Sequence, residues 1–516
     1  MDYSNKRPGS PEEPLDFMTE AIESNLVQLR KILGTSPDVV IREITLPMER
    51  DLKSAFIYLE NMADPNRLNE DILRPLMTQT AFVTGKRLIP HQTAKVLKAQ
   101  LMTTSDIQVA SNFNNLTNRI LAGEIVLVID GINEALIFPA QDTPHRAVEA
   151  PEAEDTVRGP RESFVEVLAI NLTLLRRRIR HPDLTVETYQ IGQITHTTIK
   201  VVYLKGVMND KVVEEIRQRL KRIKTDGILG AGYIEQFIGD NPLSPFSTID
   251  YSERPDTVAA KILEGRAAIL IDGNPEVLTV PTLLIESFQN PDDYNSHPYY
   301  ATLIRWIRYI SFGFSILGPA AYIAFTSFNQ ELIPTPLFIN LAAGSEGTPY
   351  PTFVEVIIMG LLFEIFREAG IHLPRPYGQG VTFVLALVMA QASVAIGFAG
   401  EATVAIVALT AIASLVVPKK ADTSILIRLG LAILASIFGI YGIMLGMLSL
   451  LAHVASLRSF GVPYLAPLAP FNPRDFTQDV AIRAPLWKML VRPRTLGWHN
   501  PQRQQESGLK PSPDEE

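Results

Sequence analysis

Apolar and polar residues interleave at short periods over roughly the first 300 residues, and then, from Tyr309 to Leu457, apolar residues run in long blocks. A helix needs about 20 consecutive apolar residues to cross a bilayer core. Tyr309–Phe328, Val381–Gly397, Ala402–Val417 and Ile425–Leu457 each approach or exceed that length, and nothing before residue 300 does. The pattern predicts an α/β soluble head followed by an α-helical multi-pass membrane domain over residues 300–460 and a C-terminal tail over 461–516.

The head repeats itself. Leu121–Gly131 aligns with Leu263–Gly273 at a shift of 142, and Glu134, Leu136 and Pro139 then fall on Glu276, Leu278 and Pro281. Upstream, Asn25-Leu26 and Leu29-Arg30 meet Asn171-Leu172 and Leu175-Arg176 at a shift of 146, and Tyr58-Leu59 meets Tyr203-Leu204 at 145. Kept order and spacing are the mark of a duplication. Each copy reads as a helix (Phe17–Leu33; Phe164–Ile179), two strands (Val39–Thr45 and Ala55–Leu59; Thr185–Ile191 and Thr198–Leu204), one or more helices and a closing hairpin. The Asp-Gly pair at each hairpin bend predicts a tight type I′ turn. These are α/β repeats at 17–140 and 161–290, joined by a Pro/Glu/Ala-rich linker at 141–160 and preceded by a disordered N-terminus at 1–16 with Pro8, Pro11 and Pro14.

Composition refines this picture mainly by exclusion. The chain of 516 residues has a net charge of −8, which gives no support for nucleic-acid binding, and it has no cysteine, which removes disulfides and thiolate chemistry. Its N-terminus lacks the apolar core of a signal peptide, so the head is expected to stay cytoplasmic. Asp130 and Asp272 follow apolar strands as metal-binding carboxylates can, but the glycine after each favours a turn. Gly227, Gly230 and Gly232 match neither phosphate-loop nor dinucleotide spacing. Arg176-Arg177-Arg178 with Arg180 reads as a solvated helix end, where cations suit the dipole. The eight histidines lack metalloprotease spacing, and no nucleophile-elbow motif occurs. The expectation is a protein that is not an enzyme, with no cofactor and no metal.

In the membrane half, Val384, Val388, Gln391 and Ala395 recur at helical spacing within a segment rich in small residues, and Gln391 lies near its centre. They are candidate pore-lining residues, with a packing stripe held by one interhelical hydrogen bond as the alternative. Thr352–Ala369 is apolar but carries Glu355, Glu364, Arg367 and Glu368; the last three share a face, which suits an interfacial or re-entrant element with a part in gating, or a plain surface-lying helix. Arg305 and Arg308 before the first block, and Arg458, Arg474, Arg483, Lys488, Arg492 and Arg494 after the last, place both ends in the cytoplasm. That requires an even number of spans. Counting four leaves Thr352–Ala369 only partly inserted and sends Lys419 and Lys420 outside, and a break within Ile425–Leu457 would change the count.

Several stretches support a recognition: Asp226–Gln236, Glu253-Arg-Pro-Asp256, Phe366–Ile371, Leu373-Pro-Arg-Pro376 and Ser456–Pro467. From about Gly159 to Pro473 the chain closely resembles the A-subunit family of bacterial spore germinant receptors, the GerA type. The resemblance implies a receptor subunit in the spore inner membrane, partnered by a transporter-like B subunit and a lipoprotein C subunit. It further implies that A subunits form a homo-oligomer in membrane lipid and act as a germinant-gated ion channel. Gln330–Pro336 looks more like the receptor branch than a germination-associated paralogue. The alternative is a secondary transporter or structural receptor subunit with a regulatory head, but transporters commonly carry inverted repeats in the membrane half, and the repeat found here lies in the soluble half.

Overall fold

The computed structural model describes residues 17–34, 36–46, 52–79, 107–139, 154, 158–345, 347–372, 375–496 and 500–504. The N-terminus at 1–16, most of the 141–160 linker and the end of the tail lie outside the described residues. Two compact units divide the chain: one from Met1–Ile238, Ile249–Pro281 and Val491–Arg503, the other from Gly239–Thr248, Thr282–Leu490 and Gln504–Glu516. Residues read as a tail are therefore shared between both units.

The first unit holds two sheets of the same design. The first repeat runs α1 (Ile22–Leu33), β1 (Val39–Leu46), β2 (Leu52–Leu59), α2 (Arg74–Gln79), β3 (Gln108–Ala110), α3 (Phe113–Leu121), β4 (Ile125–Ile129) and β5 (Ala135–Phe138). The second runs α4 (Leu168–Arg178), β6 (Leu184–Ile191), β7 (Thr197–Leu204), α5 (Asp210–Arg222), α6 (Ala231–Ile238), β8 (Asp250–Ser252), α7 (Pro255–Leu263), β9 (Ala267–Ile271) and β10 (Val277–Val280). The strand orders, β1-β2-β4-β5-β3 and β6-β7-β9-β10-β8, correspond strand for strand, so the sequence duplication is a duplication of fold. β4 and β9 are buried along their whole length, which is why they read as unbroken apolar runs. In β4 the period of two sends Val126 and Val128 to a core with α1 and α3, while Ile125, Leu127 and Ile129 meet Leu68, Ile72 and Leu76 on the other face.

The residues that revealed the repeat are those that hold its first helix in place. The Asn25 amide accepts from Thr19 N at 2.9 Å and donates to Thr19 O at 2.6 Å; Asn171 does the same to Val165 at 2.8 and 2.5 Å. Asp130 accepts from Ile22 N and Asp272 from Leu168 N, satisfying an orphan donor in the first turn of each helix. The hairpin connections run over residues 130–134 and 272–276, with positive φ at Gly131 (81°) and Gly273 (79°). The expected two-residue type I′ turn is therefore replaced by a longer loop that carries the aspartate to the helix end.

The Arg176 expectation is overturned. Its side chain is 2% exposed, and it donates from Nε to Asp38 Oδ2 at 2.8 Å and from Nη2 to Asp38 Oδ1 at 3.0 Å. Asp38 belongs to the first repeat, so this helix end is buried against the other copy, where Thr173 also donates to Asn61 O at 2.7 Å. The equivalent Arg30 stays in solvent, loosely paired with Glu43 at 3.6 Å.

On β6, Glu187 accepts from Tyr189 and Tyr203 hydroxyls at 2.7 and 2.8 Å and from the Arg217 guanidinium at 2.5 Å. Burial alone would raise its pKa, but these hydrogen bonds outweigh burial and hold it down at about 2, while burial and Glu187 push Tyr203 up to about 12. A carboxylate depressed in this way stabilises the fold fully above the ordinary value of 4.5 and loses that contribution as pH falls through about 2. Hydrogen exchange at β6 and β7 across that window should show acid-dependent loss of protection. In Glu187→Gln the protection should be lower at neutral pH and flatter with acid; an unchanged profile would assign the acid response elsewhere.

The second unit is helical: α8 (Pro291–Asn295), α9 (Pro298–Ser327), α10 (Thr335–Ser345), α11 (Thr352–His372), α12 (Arg375–Ala395), α13 (Glu401–Leu415), α14 (Ala421–Phe438) and α15 (Ile440–Ser456), then a short ladder of β11 (Arg458–Ser459) and β12 (Val462–Pro463). α9 starts beside Phe288, whose ring meets Tyr309 and Phe312 at 5.2 Å, and ends at Phe328 against Gly439. α11 and α13 both start at that far end, since Gly400 N and Thr403 Oγ1 donate to Glu355 Oε2 at 3.0 and 2.8 Å, and Thr403 meets the Tyr322 hydroxyl of α9. α12 returns there, and Gly397, two residues past its end, abuts Gly347. α14 leaves the near end and α15 comes back to it, where Tyr464 N donates to Leu457 O and Leu284 N to Tyr464 O.

Two expectations change with this geometry. Thr352–His372 is one continuous helix, and the Ile425–Leu457 block breaks at Gly439 (φ 59°) into an antiparallel pair. Gly439 supplies a backbone conformation that other residues adopt at a cost. At Gly442 a Cβ would overlap the Leu434 carbonyl oxygen, so the two arms approach at van der Waals contact. Among the described residues, the helices alternating in direction are thus α9, α11, α12, α13, α14 and α15, an even number. Lys420 lies at the near end, donating to the Tyr464 hydroxyl at 2.9 Å, so the α13–α14 loop is not on the side opposite the α9 start. Among the described residues two helices are long and apolar enough to cross a membrane, Pro298–Ser327 and Pro418–Phe438; Glu401–Leu415 and Ile440–Ser456 are apolar but shorter. Arg305, counted as a flanking cation, is 0% exposed between Asp293 at 3.0 Å and Asp479 at 2.8 Å.

Candidate functional site

The bundle formed by α9, α11, α13 and α14 encloses a cleft of about 330 Å³, walled by Pro319, Val356, Gly360, Val407 and Ala432, among others. Glu364 and Arg428 are its charged members. Arg428 Nη2 donates to Glu364 Oε1 at 2.5 Å, and Arg367 Nε lies 3.0 Å from Glu364 Oε2. The pair is largely withdrawn, at 12% and 19% side-chain exposure, so its Coulomb attraction is screened far less than that of a surface pair. Proline at 319, on the wall of the same cleft, has no N–H to close the helical ladder, so α9 has a weak point there. Toward the far end, buried Glu355 caps the α13 amino terminus through Gly400 N, where a negative charge suits the helix dipole.

Of the predicted gating set, Glu364 and Arg367 are brought together, while Glu368 instead meets exposed His372 at 3.1 Å. Sequence reasoning missed Arg428. The available signal was that it is the one Asp, Glu, Lys or Arg in the apolar block 425–457, and an ionisable group inside a membrane segment is a functional candidate by default, with a partner to be found.

The predicted pore stripe is placed differently. Val384, Val388, Gln391 and Ala395 lie on α12 and all are exposed in the single chain, at 56% and 52% for the two valines. α12 packs mainly on α11, with a lesser contact to α13. Among the described residues, therefore, these four side chains form an exposed face of small and apolar groups with one amide. No group of His, Cys, Asp and Glu among the described residues is arranged to hold a metal ion.

Residues 27–495 match the family model described as Bacillus/Clostridium GerA spore germination protein. The chain is 38% identical over 490 residues to "Spore germination protein KA" of Bacillus subtilis (strain 168), covering 95% of this chain and 89% of that protein. It is 36% identical over 484 residues to "Uncharacterized membrane protein YfkQ" of the same organism, covering 93% and 92%. Among solved structures it is similar to the N-terminal domain of the A subunit of the Bacillus megaterium spore germinant receptor GerK3, with 33% identity, 52% of this chain and 97% of that chain covered, and a TM-score of 0.41.

Proposed function

The chain belongs to the GerA family of Bacillus/Clostridium spore germination proteins, and from that membership we propose that it is the A subunit of a nutrient germinant receptor that conducts ions when the nutrient is sensed. In this reading the second unit is a multi-pass domain in the spore inner membrane, with both termini cytoplasmic, and copies of the chain assemble around a pore beside a transporter-like B subunit and a lipoprotein C subunit. The role is conduction and not catalysis. One observation carries it: the α12 face of Val384, Val388, Gln391 and Ala395 stays exposed among the described residues of its own chain. An amide facing lipid is costly, so a neighbouring copy or a water-filled path is its natural environment. The even helix count, with Lys419 and Lys420 at the same end as the α9 start, accords with cytoplasmic termini and the positive-inside rule.

Spores carrying Val388→Ala, Gln391→Ala or Ala395→Leu test this. The first two should release monovalent ions prematurely or fail to respond to nutrient, and the third should narrow the path, all with normal receptor assembly. Normal release from all three would remove α12 as the conducting helix, and release that also survives matching changes in α13 would remove the channel role.

A further inference from the structure

A second cleft, of about 300 Å³, opens at the amino end of α9 between that helix, the 284–288 turn and the C-terminal segment 465–481. Its walls are wholly apolar, with Leu284, Phe288, Trp306, Tyr309, Phe476 and Val480 among them. The polar tips of its two amphipathic rings are already satisfied by the segment itself: Trp306 Nε1 donates to Ala481 O at 3.1 Å and the Tyr309 hydroxyl to Val480 O at 3.0 Å. Arg305 fastens the same segment through Asp479. What the cleft offers a ligand is hydrocarbon surface alone.

Its depth is set by α9. A helix of 30 residues is about 45 Å long against a hydrocarbon core of about 30 Å, so the surplus lies outside the core. Counting back from Ser327, the core boundary falls near Trp306 and Tyr309, the residue types that gather at that level. The segment beyond shows Phe471, Ile482, Leu486 and Trp487 to the outside, at 64%, 52%, 50% and 45% exposure. Cations accompany them: Lys488 Nζ sits 5.0 Å from the Trp487 ring, and exposed Arg474 opens the turn that leads to Phe476. Outward aromatic and aliphatic groups interleaved with exposed cations are the chemistry of an anionic lipid interface.

We propose that residues 465–488 form a collar lying in the headgroup layer, and that the cleft takes one acyl chain of an anionic phospholipid. This rests on the multi-pass reading of the second unit. Lipid held there would brace the α9 start against the collar, at the opposite end of α9 from Gly439.

The test uses the full chain in vesicles of phosphatidylglycerol with brominated acyl chains, which quench nearby tryptophan. Trp487→Phe with Trp498→Phe leaves Trp306 as the reporter, and Trp306→Phe with Trp498→Phe leaves Trp487. Both should lose most of their emission. Adding Ala481→Phe, which fills the cleft, should restore Trp306 emission while Trp487 stays quenched. Equal quenching by brominated phosphatidylcholine at the same mole fraction would overturn the anionic preference. As a reference, Ile433→Trp in a chain with all three native tryptophans replaced by phenylalanine reports the outward face of α14. If that residue is quenched and Trp306 and Trp487 are not, the collar is overturned and the membrane reading stands; if it too is unquenched, the membrane reading itself fails.

Discussion

Arg176→Leu is expected to destabilise the docking of the two α/β repeats by about 3–5 kcal/mol, whereas Arg30→Leu, at the matching position of the other copy, should cost under about 1 kcal/mol. The difference comes from burial. Removing Arg176 leaves the Asp38 carboxylate, at 4% exposure, with Ser36 Oγ at 2.5 Å as its remaining side-chain donor among the described residues. Removing Arg30 breaks a pair whose members are 61% and 66% exposed, and water replaces it. Hydrogen–deuterium exchange on the full chain would read the effect as faster opening of α4 and of the Ser36–Asp38 turn. The double variant Asp38→Leu/Arg176→Leu should recover much of the loss, because it leaves no unpaired charge. Equal protection in Arg176→Leu and Arg30→Leu would mean that the buried pair does not hold the repeats together.

The second large effect is expected at the helical cleft. Glu364→Gln keeps the shape of the side chain but leaves both the Arg428 and the Arg367 guanidinium without their shared counter-charge, whereas Arg428→Leu leaves Glu364 with Arg367 alone. Glu364→Gln should cost about 3–5 kcal/mol and Arg428→Leu less, seen as a lower folded yield in detergent and a lower melting temperature. Since α11 and α14 meet through this pair alongside apolar packing, the ion release proposed above should fail as well. Glu364→Gln/Arg428→Leu should be less damaged than Glu364→Gln alone, with the coupling measured as a double-mutant cycle over these two substitutions. Additive losses would show that the two side chains act independently. Glu368→Gln serves as the comparison, because its His372 contact is 66% and 75% exposed and should contribute little.

The duplication, the two-strand starts and the boundary between a polar head and an apolar half were all legible along the chain. They rest on local terms: Asn25 and Asn171 each clamp a segment six residues away, and β4 and β9 show their burial as unbroken apolar runs. The Asp-Gly pairs marked the hairpins correctly, yet not the task of Asp130 and Asp272, which serve helices 108 and 104 residues upstream.

Partnership across distance was the province of the tertiary structure. Arg30 and Arg176 occupy matching places in matching helices, and only the packing of one repeat on the other buries the second, with Asp38 138 residues away as its counter-ion. Arg428 reads as a flaw in an apolar block until α11 brings Glu364 beside it, and Gly439 reads as one more small residue until Phe328 fills the space next to its positive φ. A run of apolar residues specifies that a helix will be buried or lipid-facing, because burial follows from composition. Where that helix breaks, which way it runs and which charge meets which follow from contacts between segments far apart in the chain, and pattern along the sequence carries no record of them.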